Sequence, residues 1–135
     1  MGVSVSPVIP FLNEPELERI VDAARDAGAT SAFSIVIRLP WEVNPLFQQW
    51  LVQHFPARAA RVMARIREMR GGADNSCQFG ERMTGSGVWA QLLRQRFQKA
   101  SARLGLQRQR VELDLTQFVR GGSAAAQAPA QRSLF

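Results

Sequence analysis

The chain offers few groups suited to covalent chemistry. It has one cysteine, Cys77, and one histidine, His54, among 135 residues. A single thiol excludes an intramolecular disulfide and any iron or zinc centre built from several thiolates of this chain. His54 precedes Phe55 and Pro56 at an expected helix end, where packing or capping accounts for it better than catalysis. Cys77 stands in a glycine-containing stretch beside Phe79, with only His54 and scattered arginines to activate it, a poor setting for a nucleophile. The sequence has no nucleophile elbow, Walker loop or paired metal ligands, so the site reading names no catalytic and no metal-binding residue. Arg38 is the more informative residue. It follows an apolar run, and a cation at the end of a buried strand is costly unless it meets an anion. It therefore either pairs internally with an acid such as Glu42 or Glu14, the ordinary expectation, or meets a ligand carboxylate.

Charge is spread unevenly. Residues 1 to 56 carry three Arg against six acids, net −3, and residues 57 to 135 carry fourteen Lys+Arg against five acids, net +9. A basic half attracts nucleic acid by displacing counterions from phosphates, although solvated helix faces carry arginine for other reasons too. The N-terminus lacks the layout of a secretory signal, and no apolar run approaches the roughly 18 residues of a membrane span, so a cytoplasmic, membrane-free protein is expected.

The elements that position these residues read as α/β. "VSVSPVI", residues 3 to 9, alternates small polar with apolar, as a strand does. Asn13 suits an N-cap with Glu16 as its capping-box partner and Pro15 in the first turn, and Leu17, Ile20, Val21 and Ala24 recur at helical spacing up to Gly28. "SAFSIVIRLP", residues 31 to 40, is a second strand stopped by Pro40. Strand, helix, strand predicts a parallel pair, which normally belongs to a larger sheet. Asn44 and Pro45 open a helix that Pro56 closes, an arginine-rich helix runs to Gly71 and Gly72, and a helix follows with Trp89, Leu92, Leu93, Phe97, Ala100 and Leu104 on one face. Between the last two lies a long loop, 71 to 87, of the kind that is usually functional. "VELDL", 111 to 115, alternates like a short edge strand, and from Arg120 the chain reads as a low-complexity linker.

Taken together, "SPVIPFLNE", "AFSIVIRLPWEVNPLFQQWLVQHFP", "RVMARIREMRGG" and "FGERMTGSGVWAQLLRQRF" resemble the C-terminal portion of bacterial radical SAM proteins of the branch similar to spore photoproduct lyase. The resemblance implies the C-terminal βαβ portion of a partial (β/α)6 barrel followed by a helical extension. Residues 1–40 would hold the barrel strands and crossover helix, 41–119 the extension with its loop and edge strand, and 120–135 a flexible tail. In that family a four-iron (4Fe-4S) cluster, held by a CxxxCxxC motif, cleaves S-adenosylmethionine. This chain lacks the motif, so alone it is expected neither to hold those cofactors stably nor to catalyse. A separate polypeptide or a missing stretch would supply the N-terminal half of the barrel.

The stretch from Pro7 to Glu14 resembles the family's GxIxGxxE element along the adenine side of S-adenosylmethionine, with Pro7, Ile9, Phe11 and Glu14 in its four defined places. Proline and phenylalanine stand where glycines are usual. Arg38, at the end of the next strand, becomes a candidate for the cofactor or substrate face, and Phe79 and Arg82 in the loop become candidates for substrate or nucleic acid. The terminal "QRSLF" resembles the peptide by which bacterial replication and repair proteins dock on the sliding clamp, through Gln131, Leu134 and Phe135, with Arg132 in place of the usual leucine. The expected function is thus part of a DNA-repair lyase-like radical SAM protein. The competing expectation is a non-catalytic DNA-associated module that binds nucleic acid and the clamp.

Overall fold

The computed structural model describes residues 1–106 and 115–116. Two parallel strands, β1 (Gly2–Val8) and β2 (Ser31–Val36), form a two-stranded sheet joined by helix α1 (Leu17–Asp26). Helices α2 (Val43–His54), α3 (Pro56–Met69) and α4 (Gly87–Arg103) follow. The chain is mixed α/β, and among the described residues no helix is long and apolar enough to cross a membrane.

The strands pair in register from Gly2 opposite Ser31 to Val5 opposite Ser34, then slip, so that Val8 faces Val36. Three residues of β1 thus span the distance of two in β2, a bulge at Ser6 and Pro7. Proline is suited to a bulge because it has no N–H to leave unpaired in the ladder. The extra residue also lets Val5 and Val8, an odd number of positions apart, both turn into the core. Ala32 and Val36 are buried on β2, whereas Gly2, Ser4, Ser6 and Phe33 are exposed. One face of the sheet packs inward and the other stays uncovered among the described residues.

The core joins this inner face to Leu17 and Val21 of α1, Leu51 of α2, Val62, Ile66 and Met69 of α3, and Leu93 and Phe97 of α4. Two sequence expectations change. The helix after β1 opens as a 3-10 turn, Glu14–Glu16, and Asn13 makes no side-chain cap bond to it. On α4 the buried stripe is Ala90, Leu93, Phe97, Ala100 and Ser101, and Leu92 is 52% exposed. On α2 only Leu51 is buried, while Leu46 and Val52 face solvent. The expected edge strand at 111–115 lies outside the described residues except for Leu115, which is exposed.

Candidate functional site

Asn13 works backwards along the chain. Its Oδ1 accepts from the Ile9 N–H (2.7 Å) and its Nδ2 donates to the Pro7 carbonyl (2.8 Å), while the Leu12 and Glu14 amides both donate to the Ile9 carbonyl (3.3 Å each). The turn from Pro7 to Glu14 is closed on itself. Inside it Phe11 has φ +61°, in the left-handed region that disfavours any residue with a Cβ. Its carbonyl accepts from Arg58 (3.2 Å), and its ring lies under the guanidinium carbons of Arg61 and Arg65, 4.1 and 5.5 Å from the centroid. Contacts of this kind with α3 hold an aromatic residue in a backbone state that glycine adopts freely.

Glu14 leaves the turn and pairs with Arg96 of α4. The same guanidinium grips Glu18 in a two-pronged bond, Nε to Oε1 and Nη2 to Oε2 at 2.8 Å each. These bonds from Arg96 hold the Glu18 carboxyl below the usual carboxylate range, and the two carboxylates raise the proton affinity of Arg96 further. Arg103 to Asp22, 2.7 Å, extends the same seam between α1 and α4.

The C-terminal end of β2 differs. Arg38 has no carboxylate partner among the described residues, so the expected internal pair with Glu42 or Glu14 is not formed. Glu14 is taken by Arg96. The Arg38 Nε is buried without an acceptor, and its Nη1 reaches only the Met83 sulfur at 4.0 Å. Arg70, 6% exposed at the end of α3, donates Nη2 to the Ile37 carbonyl and Nη1 to the Glu81 carbonyl, 2.9 Å each, and its Nε is also buried and unbonded. Burial, and next the nearby charge of Arg38, lower the Arg70 pKa, against a smaller opposing effect of Glu81. Three residues past Arg38, Trp41 has φ +47° and is 85% exposed.

Arg70 also anchors the long loop. Its bond to Glu81 joins two others, the Val36 amide to the Met83 carbonyl (3.0 Å) and the Ser86 amide to the Met69 carbonyl (3.0 Å). At the loop's root Asp74 accepts from Asn44 and Arg67, which hold its carboxyl below the usual range. Phe79 projects from this anchored loop, 89% exposed, with the Arg82 guanidinium 4.8 Å from its ring centroid. Beyond Met83 the outer edge of β2 borders a groove of about 360 Å³ lined by Phe33, Phe97 and Leu106, where the Ser101 hydroxyl is buried and unbonded.

Of the residues singled out in the sequence, Pro7, Ile9 and Phe11 lie on the one turn, Arg38 at the end of β2, and Phe79 and Arg82 on the loop tied to that end by Arg70. Glu14 is turned toward the α1–α4 seam. Gln131, Leu134 and Phe135 lie outside the described residues. His54 is exposed beside Trp50, with ring centroids 5.7 Å apart. Cys77 is an exposed thiol, and among the described residues no three His, Cys, Asp or Glu gather as metal ligands. Arg70, Arg96 and Trp41 were not marked by the sequence. No family model, no curated protein and no solved structure matches the chain.

Proposed function

We propose that the chain is the C-terminal portion of a radical SAM protein of the branch similar to spore photoproduct lyase. In this reading it forms the last barrel strands of a cytoplasmic enzyme that acts on nucleic acid. Another stretch of polypeptide carries the cluster-binding cysteines. Phe11 carries the reading: at a position where the family's element has glycine, this chain has a left-handed backbone, the state glycine adopts freely, despite a bulky side chain. A parallel strand pair with one open face adds support, because such pairs are stable inside larger, covered sheets.

S-adenosylmethionine, where bound, supplies the radical chemistry. This chain's share is positional: Pro7, Ile9 and Phe11 would border its adenine side, and the self-closed turn would hold that border rigid. Iron and sulfide should leave the isolated chain without a stable cluster. S-adenosylmethionine should perturb the amide resonances of residues 7–14 and 33–38 weakly and without saturation. A stably bound four-iron cluster, or cofactor-induced shifts that bypass both segments, overturns the reading.

A second reading rests on α3, where Arg61 and Arg65 lie over the Phe11 ring and Arg58 donates to the Phe11 carbonyl. Cations interleaved with an aromatic suit a non-catalytic module that binds nucleic acid and uses its last residues on the sliding clamp. Salt-sensitive DNA binding, with clamp binding lost on deleting residues 131–135, is its expected signature. Absence of both in titration removes it.

A further inference from the structure

Every half-buried or buried arginine among the described residues has a visible function except one. Arg96 and Arg65 pair with carboxylates, Arg82 stacks on Phe79, and Arg70 spends both Nη groups on carbonyls. Arg38 has only a thioether, a weak acceptor, against Nη1, and nothing against its buried Nε. Its charge is felt by Arg70, which is itself more than nine-tenths buried and has a bare Nε. Glu81 also acts on Arg70, but its bond to that residue runs through the backbone carbonyl and leaves both cations without an ion pair. Two neighbouring cations drawn out of water without a carboxylate form an arrangement that an oxyanion relieves, and the guanidinium fork matches phosphate geometry.

We propose that the C-terminal end of β2 is an oxyanion site in which Arg38 binds a backbone phosphate of a nucleic acid. Arg70 acts behind it as the positioning residue that fixes the Glu81–Met83 stretch against the strand. The phosphate chemistry follows from the two guanidiniums. The choice of nucleic acid over free phosphate rests on the preceding reading of the substrate class, and on two exposed aromatics, Trp41 three residues past Arg38 and Phe79 on the loop that Arg70 anchors. Exposed indole and phenyl rings offer unstacked bases a platform, which inorganic phosphate does not use.

The test uses the full chain with two probes, inorganic phosphate and a fluorescent single-stranded oligodeoxynucleotide. Phosphate should shift the Arg38 Nε–Hε resonance saturably and leave that of Arg19, an exposed arginine of α1, in place. Arg38→Met should weaken oligonucleotide binding about tenfold and lower the slope of log affinity against log salt by about 0.7, the loss of one single-strand phosphate contact. Arg19→Met controls for net charge. Arg38→Lys, which keeps the charge without the fork, covers the case in which Arg38→Met does not fold. Trp41→Ala should weaken the oligonucleotide and leave phosphate unchanged. Equal losses in the Arg38 and Arg19 variants, or no phosphate shift at Arg38, overturn the site even if DNA still binds. A phosphate shift without oligonucleotide binding keeps the anion site and overturns the nucleic-acid assignment.

Discussion

The α1–α4 seam and the C-terminal end of β2 are both built around arginine, and they resolve its charge in opposite ways. In the seam one guanidinium meets two carboxylates, and Arg103 and Asp22 repeat the pairing further along. At the strand end two guanidiniums share no carboxylate among the described residues, each keeps a bare Nε, and the next aromatic along the chain sits in a left-handed backbone. The seam serves the fold, while the strand end carries costs that the fold alone does not explain. Unresolved charge and strain of this kind collect where a protein meets something else.

The comparison breaks most directly by removing each arginine in turn. Arg96→Met should destabilise the protein by about 2 kcal/mol in urea denaturation, because Glu14, with only 13% side-chain exposure, loses its counter-charge; the part-exposed Glu18 keeps the figure below that for a fully buried pair. Arg38→Met should stay within about 0.5 kcal/mol of the parent, since it removes a buried unbonded Nε and no ion pair. Equal losses would erase the distinction between the two regions.

Acid sharpens the same contrast. The Glu18 carboxyl is held by Arg96 below the usual carboxylate range. Its stabilising effect is complete above that range, where both folded and unfolded states are ionised. It is lost as pH falls through the depressed folded value, because the unfolded chain takes up the proton first. Stability measured against pH should therefore fall below the ordinary glutamate range, and the fall should be shallower in Arg96→Met. Arg38→Met should leave it unchanged.

An effect of the opposite sign is expected beside Arg38 in the chain. Trp41→Gly relieves a left-handed backbone and removes an indole with 85% exposure, so it should stabilise by at most about 1 kcal/mol, offset in part by the greater freedom of glycine when unfolded. A loss of stability in thermal melts would mean that Trp41 packs within the fold and is not presented outward.

What the sequence made legible was local. Alternation marks the first strand and a run of β-branched and aromatic residues marks the second, Pro56 separates α2 from α3, and Gly28 and Gly71 stop α1 and α3 with φ of +89° and +66°. Where a local pattern admits two solutions, the sequence does not choose. Asn13 can cap forward or bond backward, and on α4 apolar side chains at 89, 92, 93 and 97 fit two neighbouring stripes, of which packing selects the one through Ala90. The long-range pairs were beyond reach. Arg96 lies 78 residues from Glu18 and 82 from Glu14, and Arg70 lies 33 from Ile37, separations that carry no periodic signal.

The bulge in β1 has a mechanical consequence for the turn beyond it. The strand behaves like a screw thread with one slipped tooth at Ser6 and Pro7: ahead of the slip the even-numbered side chains look outward, and past it the parity inverts. Excising either residue would leave Val8 inward and opposite Val36, whereas pairing all seven residues of β1 without the slip would spin everything downstream by half a revolution. The Asn13 clasp would then close on the wrong side of the sheet, and Phe11 would swing away from the arginines of α3 that now hold it.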